Sequence, residues 1–284
     1  VIAEVQRPGP ATGLPTRTEQ GDLLFTINIS QGEFPLMVIS PRDQEDAFYQ
    51  TFRAFNIAEK YQIPVIILSD QFLADSSKNV KEFDFDNLKI KRYLASAADI
   101  NKKDQYLRYE VTDDGISPRL YPGQISNEIV LADSDEHDQK GHITESDKVR
   151  IDMVDKRQRK MDKLIEKDLN QPQYIGKRDI DYLIIGWGST YGPILEAQKL
   201  LNKEGIATGY LAFFDVWPLP KNKLNEWASK EVTMISVENN STAQFSRLIS
   251  SEVGININEN ILKYDGRPFT GKEIYQRIKK EVVK

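Results

Sequence analysis

Two continuous apolar runs, Phe34-Pro-Leu-Met-Val-Ile-Ser40 and Ile63-Pro-Val-Ile-Ile-Leu-Ser69, constrain the fold of this chain more than anything else in it. Neither alternates, so each reads as a strand that is apolar on both faces, the kind found inside a parallel sheet. Between them, Pro41-Arg42-Asp43 marks a turn and a helix start. From Gln44 to Gln62 the apolar residues Ala47, Phe48, Phe52, Phe55, Ile57, Ala58 and Tyr61 recur at helical spacing. Strand, helix and strand within about thirty residues make a βαβ unit.

The C-terminal part alternates in the same way. Asp181 to Ile185 reads as a strand, Gly186 to Gly192 as a turn, and Pro193 to Glu204 as a helix with proline at its start. Strands over Ala207 to Phe214 and Thr233 to Val237, then a helix over Gln244 to Val253, continue the pattern. The chain is therefore expected to be α/β. Its middle differs in texture. Residues 76–110 are polar, and Tyr106 to Val111 and Ile125 to Leu131 read as short strands around the Asp113-Asp-Gly115 turn. The spacing predicts a long helix from Ser146 to about Leu169. Val149, Met153 (or Val154), Met161, Leu164 and Ile165 form its apolar stripe, with Lys and Arg on solvated faces. Gln171-Pro172-Gln173 ends it, and a new domain begins near Arg178.

Ahead of all this lies a segment of another kind, Gln6-Arg-Pro-Gly-Pro-Ala-Thr-Gly-Leu-Pro-Thr-Arg-Thr-Glu-Gln20. With Leu14 as its one bulky apolar side chain, it cannot build a core. Gly9 and Gly13 allow positive φ and close approach of a ligand, while Pro8, Pro10 and Pro15 stiffen the backbone. Arg7, Thr12, Thr16 and Arg17 offer guanidinium forks and hydroxyls that suit a carboxylate or a phosphate. The same composition also suits a plain linker. The adjoining βαβ unit favours the ligand-binding reading, since open α/β sheets bind small molecules beyond the carboxyl ends of their strands.

A length of 284 residues with 39% hydrophobic content suits two domains and a connection. A net charge of −5 with intermixed acids and bases argues against nucleic acid as a partner. No apolar run is long enough to cross a bilayer and no signal-peptide pattern is present, so no membrane and a cytoplasmic location are expected. With no cysteine, the chain offers no thiolate for an iron–sulfur cluster. His137 and His142 lie among Asp133, Asp135, Glu136 and Asp138, a mixed N/O donor set without fixed spacing, and a solvated turn is the plainer reading. Gly186-Trp-Gly-Ser-Thr-Tyr-Gly192 looks like a dinucleotide fingerprint, but its third glycine comes one position late. No acidic residue follows at about twenty residues on the next strand end, which disfavours a nicotinamide cofactor. Glu238-Asn-Asn240 suits a helix-capping and interface cluster or a ligand site.

The segment Arg7 to Leu24, with its G-P-x-T-G-L-P-T-x-T-E-Q-x-D-L pattern, resembles the alpha subunit of the 2-oxoacid:ferredoxin oxidoreductases. The resemblance runs on in order through Pro41-Arg-Asp43, Leu68-Ser-Asp70, Asp114-Gly-Ile-Ser-Pro-Arg119 and Asp135-Glu-His-Asp138. It continues in Gly141-His-Ile-Thr144, Gly186-Trp-Gly-Ser-Thr190, Val237-Glu-Asn-Asn240 and Tyr264-Asp-Gly-Arg-Pro-Phe269. Pro8 and Ala11 stand where the pattern more often has glycine and serine. A preceding Tyr-Pro-x-Thr-Pro stretch and a glutamate that contacts the thiamine pyrimidine are missing. A fragment, a processed chain, or a separate N-terminal polypeptide is therefore expected.

The resemblance implies part of a thiamine-diphosphate-binding, pyrimidine-type domain followed by a transketolase C-terminal-like domain. The boundaries expected are 1–90 for the first domain, 91–174 for a connecting segment with a hairpin and the long helix, and 175–284 for the last domain. It implies oxidative decarboxylation of 2-oxo acids to acyl-CoA and CO2 with reduction of ferredoxin. Thiamine diphosphate would be shared, while Mg2+ and a 4Fe-4S cluster would be held by a partner beta subunit. Arg7 and Thr16, and more weakly Thr12, match the family positions that hold the 2-oxo acid. A non-catalytic assembly subunit of such a complex is the alternative.

Overall fold

A computed structural model describes residues 1–100 and 105–283 of the chain. Residues 101–104 of the expected connecting segment, and Lys284, lie outside the described residues. The first part contains β1 (Ile2–Gln6), α1 (Leu23–Ile27), β2 (Met37–Ile39), α2 (Gln44–Tyr61), β3 (Val65–Asp70), α3 (Gln71–Asp75), α4 (Ala97–Ile100) and α5 (Asp147–Lys167). The second contains β4 (Gln173–Ile175), β5 (Tyr182–Trp187), α6 (Tyr191–Lys203), β6 (Thr208–Phe213), β7 (Asp215–Trp217), α7 (Asn222–Ala228), β8 (Thr233–Glu238), α8 (Gln244–Val253), β9 (Glu259–Leu262) and α9 (Gly271–Glu281).

The strands form a four-stranded sheet of order β1-β3-β2-β7 and a five-stranded sheet of order β4-β6-β5-β8-β9. β1, β3 and β2 run parallel, as do β6, β5, β8 and β9. The edge strands β7 and β4 are antiparallel to their neighbours. The period of two along each strand sorts the core into layers. Val38, Ile66 and Leu68 share one core with Leu183, Ile185, Trp187, Leu211 and Phe213, so it runs between the sheets. Met37, Ile39, Val65 and Ile67 face the other way, onto α2 and Leu164 of α5. Ile184, Tyr210, Ala212 and Ile235 face α6 and α9.

The predicted βαβ unit is present. Asp43 caps α2 by accepting from the Asp46 N–H (2.9 Å), and Gln62 ends the helix in the left-handed conformation (φ 52°). β7 enters the first sheet through a buried ion pair. Both Arg53 guanidinium nitrogens reach the fully buried Asp215 carboxylate at 2.6 Å. Arg53 also reaches the Asp168 carbonyl, and the Asn170 N–H donates to Asp215 (2.7 Å). One fork thereby binds α2, β7 and the exit of α5.

Three expectations are corrected. Tyr106–Val111 and Ile125–Leu131 are not strands, and an isolated His137–Ile143 bridge is the one β pairing among the described residues of this segment. Their backbone groups bond to loops and side chains instead, as in Tyr109 N–H to the Gln139 carbonyl (3.0 Å) and Val111 N–H to Gln139 Oε1 (2.8 Å). The apolar residues there collect in a small cluster of Ile100, Tyr106 and Leu120. Secondly, α5 has a narrower apolar stripe than predicted, because Ile165 is exposed while Met153 and Leu164 are buried.

Thirdly, its lysines are not all solvated. Lys156 is 4% exposed and Lys160 9%. Residues 105–120 lie across this face, and at Gly115 (φ +73°) an added Cβ would stand 2.2 Å from the Lys156 carbonyl. Lys156 Nζ donates to the Tyr109 carbonyl, and Lys160 Nζ to the Gln62 carbonyl at the end of α2, both at 3.0 Å. Free carbonyls and the helix dipole favour a cation at the second position. Burial, with neighbouring cations, still pulls Lys156 down to about 7 and Lys160 to about 8.

Candidate functional site

The carboxyl ends of β1, β3, β5 and β8 converge on residues 7–22, which cross between the two sheets. Each is tied to this loop. At β1, Gln6 Nε2 donates to the Ser69 carbonyl (3.0 Å) and its Oε1 accepts from the Asp22 N–H (3.0 Å). At β3, Thr18 Oγ donates to Asp70 (3.3 Å). At β5 and β8, the buried Gln20 donates through Nε2 to the Trp187 carbonyl (2.9 Å) and accepts at Oε1 from the Asn239 N–H (3.0 Å). Gln20 N–H in turn donates to the Asn239 carbonyl (2.7 Å), and Asn240 Nδ2 to the Gln20 carbonyl (3.1 Å).

Asp70 is the charged member of this set, at 2% exposure. It accepts from Thr18, from the Leu73 N–H (3.0 Å) and from the Ser189 hydroxyl. Burial pushes its pKa up, and these donors pull it back. Asp70 thus couples the loop to the turn after β5.

Within the loop, Leu14 N–H donates to the Pro8 carbonyl (3.1 Å) and Arg17 N–H to the Leu14 carbonyl (3.2 Å). Gly13 (φ +48°) is required, since a Cβ there would lie 1.9 Å from the Pro8 oxygen. What this rigid frame presents outward is polar. Arg7, Thr12 and Thr16 are all exposed, and the Arg7 guanidinium makes no hydrogen bond or ion pair among the described residues. Thr16 lines a groove of about 290 Å3 with Arg17, Gln71, Phe72, Ser76 and Arg267. Arg7 and Thr12 do not line it.

The other clusters have structural uses. Glu238 is fully buried and accepts from Ser236 Oγ, Asn240 Nδ2 and the Phe245 and Ser246 N–H groups at 2.8–3.0 Å, closing the start of α8. The tight 3-10 turn Gly188–Thr190 is already filled. A Cβ on Gly186 would meet Ile194 at 2.2 Å, and one on Gly188 would meet Ser40 at 2.6 Å. Glu136 and Asp138, beside His137 and His142, are engaged as well. Glu136 holds Arg157 bidentately and Arg150, which with burial opposing keeps its carboxyl down at about 2. His137 stacks on Tyr109 at 3.9 Å, and His142 stands 3.7 Å from Asp138. Among the described residues no group of three or more His, Cys, Asp or Glu could hold a metal ion, and no helix is long and apolar enough to cross a membrane.

Sequence reasoning had no role for Gln20, Asp70, Ser189 or Arg267, although each lies in a motif that it quoted. Their roles come from contacts up to 220 positions apart, as in the Gln20–Asn240 bond. Polar residues at strand ends next to glycine turns were the available signal.

Comparison with known proteins fits this architecture. Residues 1–156 match the family model described as pyruvate flavodoxin/ferredoxin oxidoreductase, thiamine diP-binding, and residues 180–275 match pyruvate:ferredoxin oxidoreductase core domain II. The chain is 37% identical to 2-oxoacid:ferredoxin oxidoreductase 1, subunit alpha, of Aeropyrum pernix, over 98% of this chain and 43% of the relative. It is also 37% identical to the corresponding alpha subunit of Saccharolobus solfataricus, over 100% of this chain and 45% of that one. The chain thus spans less than half the length of these relatives. A solved structure of 2-oxoglutarate:ferredoxin oxidoreductase from Magnetococcus marinus, with 2-oxoglutarate, coenzyme A and succinyl-CoA bound, superposes with a TM-score of 0.90 at 33% identity. It covers 98% of this chain and 48% of that one. The α/β chain, with its thiamine-diphosphate-binding type of first unit, belongs to the pyruvate flavodoxin/ferredoxin oxidoreductase family.

Proposed function

We propose that this chain is the 2-oxo-acid-gripping part of the alpha component of a coenzyme-A-acylating 2-oxoacid:ferredoxin oxidoreductase. The observation that carries the reading is Arg7, an exposed, unpaired guanidinium on a loop pinned to the carboxyl ends of both sheets. Its fork takes the substrate carboxylate in two charge-assisted hydrogen bonds. Thr16 adds a hydroxyl to the acid or lines the pocket for its side chain, and Thr12 contributes more weakly. Because Gln20 and Thr18 fix the loop before substrate arrives, little ordering entropy is lost on binding.

When bound, thiamine diphosphate supplies the carbon nucleophile that the reaction needs. The part played by this chain is to hold the acid, orient it and fix the wall of the site. We assign Mg2+ and the diphosphate to a partner beta subunit, as the family resemblance implies. The 4Fe-4S cluster belongs there too, since this chain has no cysteine. The 2-oxo acid loses CO2, its acyl group passes to coenzyme A, and ferredoxin takes the electrons. We place the complex in the cytoplasm, and we divide the chain into units 1–90, 91–174 and 175–284.

Arg7→Ala tests the reading in the complex of this chain with its partner subunits. The KM for the 2-oxo acid should rise at least about tenfold with thiamine diphosphate affinity nearly unchanged, and Arg7→Lys should restore only part of the loss. An unchanged KM would remove Arg7 from the site and leave the chain an assembly subunit.

A further inference from the structure

The two faces of α2 are both rich in large apolar side chains, but only one is covered. Ala54, Ile57 and Tyr61 pack on the first sheet, whereas Phe48, Phe52 and Phe55 fall on the opposite face at i, i+4 and i+7. Phe55 is 56% exposed, and Phe48 and Phe52 are half-buried. A strap over residues 82–92 runs beside this face in the direction of the helix. Its Asp84 N–H donates to the Tyr49 hydroxyl (3.1 Å), its Lys91 N–H to Asn56 Oδ1 (3.0 Å), and its Arg92 Nη1 to Glu59 (3.1 Å). Phe83 stacks on Phe48 at 3.9 Å, and Phe85, 63% exposed, meets the same ring edge-on at 5.6 Å. Exposed apolar patches of this kind mark contact surfaces, and aromatic side chains are enriched in them.

The charges that flank the rings are sorted by sign. Beside the N-terminal half of α2 the strap carries Glu82, Asp84 and Asp86, and toward the C-terminal end it carries Lys89, Lys91 and Arg92. All six are exposed. The Glu82, Asp86, Lys89 and Lys91 side chains make no ion pair or hydrogen bond among the described residues. A surface with acids at one end, rings in the middle and bases at the other complements itself when a copy is turned through a two-fold axis. A partner of one sign throughout would be repelled at one end, and an uncharged ligand would leave both ends unused.

We propose that this face pairs two copies of the chain, with their α2 helices antiparallel about a two-fold axis near Phe52. Phe48 of each copy then lies over Phe55 of the other, and each acidic half of the strap lies against the basic half of its mate. The stacking of Phe83 on Phe48 holds those rings before the copies meet, so less side-chain freedom is lost on association.

Sedimentation equilibrium of the full chain tests the pairing. The chain should dimerise, and Phe55→Glu should weaken the dimer at least about a hundredfold with Tm unchanged, because Phe55 is exposed in the single chain. Lys89→Glu/Lys91→Glu sets acid against acid and should weaken the dimer at least about tenfold. Adding Glu82→Lys/Asp86→Lys to that variant exchanges the two ends, and should bring the Kd back to within about threefold of its original value. A chain that stays monomeric at about 100 μM, or a dimer indifferent to Phe55→Glu, would overturn the proposal. So would a four-site reversal that binds no tighter than the two-site one, since antiparallel pairing makes the ends exchangeable. A chain monomeric by itself, whose Phe55→Glu variant no longer assembles with the partner subunit, would give the face to that subunit and overturn self-pairing.

Discussion

Two stretches of irregular, polar backbone lie on this fold, and they use their cations in opposite ways. The loop over residues 7–22 buries neutral or acidic anchors, Thr18, Gln20 and the Asp70 that receives it, and leaves Arg7 and Arg17 outside. The segment over residues 105–145 is laid against α5, where it covers lysines of that helix and pairs arginines with carboxylates. Lys156 and Lys160 are buried, Arg157 is held by Glu136, and Arg119 by Glu59. Both are rich in glycine turns and charged residues, and composition does not separate them. The contrast lies in what the cations touch. A cation bonded to carbonyls and carboxylates of its own chain serves the fold, whereas one held out on a fixed loop without a partner is available to a ligand.

That contrast can be broken most directly at its two tightest glycines. Gly115→Ala, which forces a Cβ toward the Lys156 carbonyl at a positive φ, should cost about 2–5 kcal/mol of global stability, read as a lower Tm. Gly13→Ala drives a Cβ into the Pro8 carbonyl with the same kind of strain, but in a loop. It should leave Tm nearly unchanged and raise the 2-oxo acid KM at least about tenfold. Equal Tm losses in both variants would erase the distinction.

A smaller effect should appear on titration. The folded pKa values of Lys156 and Lys160, about 7 and about 8, lie below the ordinary lysine value of 10.5. Between these limits the unfolded chain binds more protons than the folded one. Stability should therefore rise as pH climbs from about 7 toward 10.5. Chemical denaturation of Lys156→Met/Lys160→Met should show a flatter dependence across that window, and an identical slope would mean that the lysines are not titrating in the fold. Smallest of all is Arg150→Ala. The Arg150 side chain is 60% exposed, and Arg157 keeps its bidentate hold on Glu136, so the loss should stay below about 1 kcal/mol.

Much of the frame was legible in the sequence because it is written in local signals. The apolar runs at β2 and β3, the Asp43 cap and the periodicity of α2 and α5 all place elements where the structure has them. The strand β1 escaped notice because IAEVQ has five residues and little apolar weight. The false strands at 106–111 and 125–131 show the converse, since alternation makes a strand only where a partner edge is in reach. Burial of Lys156 and Lys160 runs against the usual preference of lysine for the surface, and it depends on a covering segment far away in sequence. The loop over residues 7–22 was recognisable as special backbone from its prolines and glycines. Its anchors were not, because Gln20 and Asp70 have meaning only once the strand ends meet.

The placement of β7 bears on how such a chain can be divided. Asp215–Trp217 comes after the second sheet has begun, yet it seals the β2 edge of the first and supplies the carboxylate that Arg53 grips. A gene split near residue 175 would leave one product with a raw strand edge and an orphaned arginine, and hand the matching strand to the other. The order of the genetic text and the partition of the folded object differ here. Two separately made halves should regain the fold only by recombining, with β7 as the clasp.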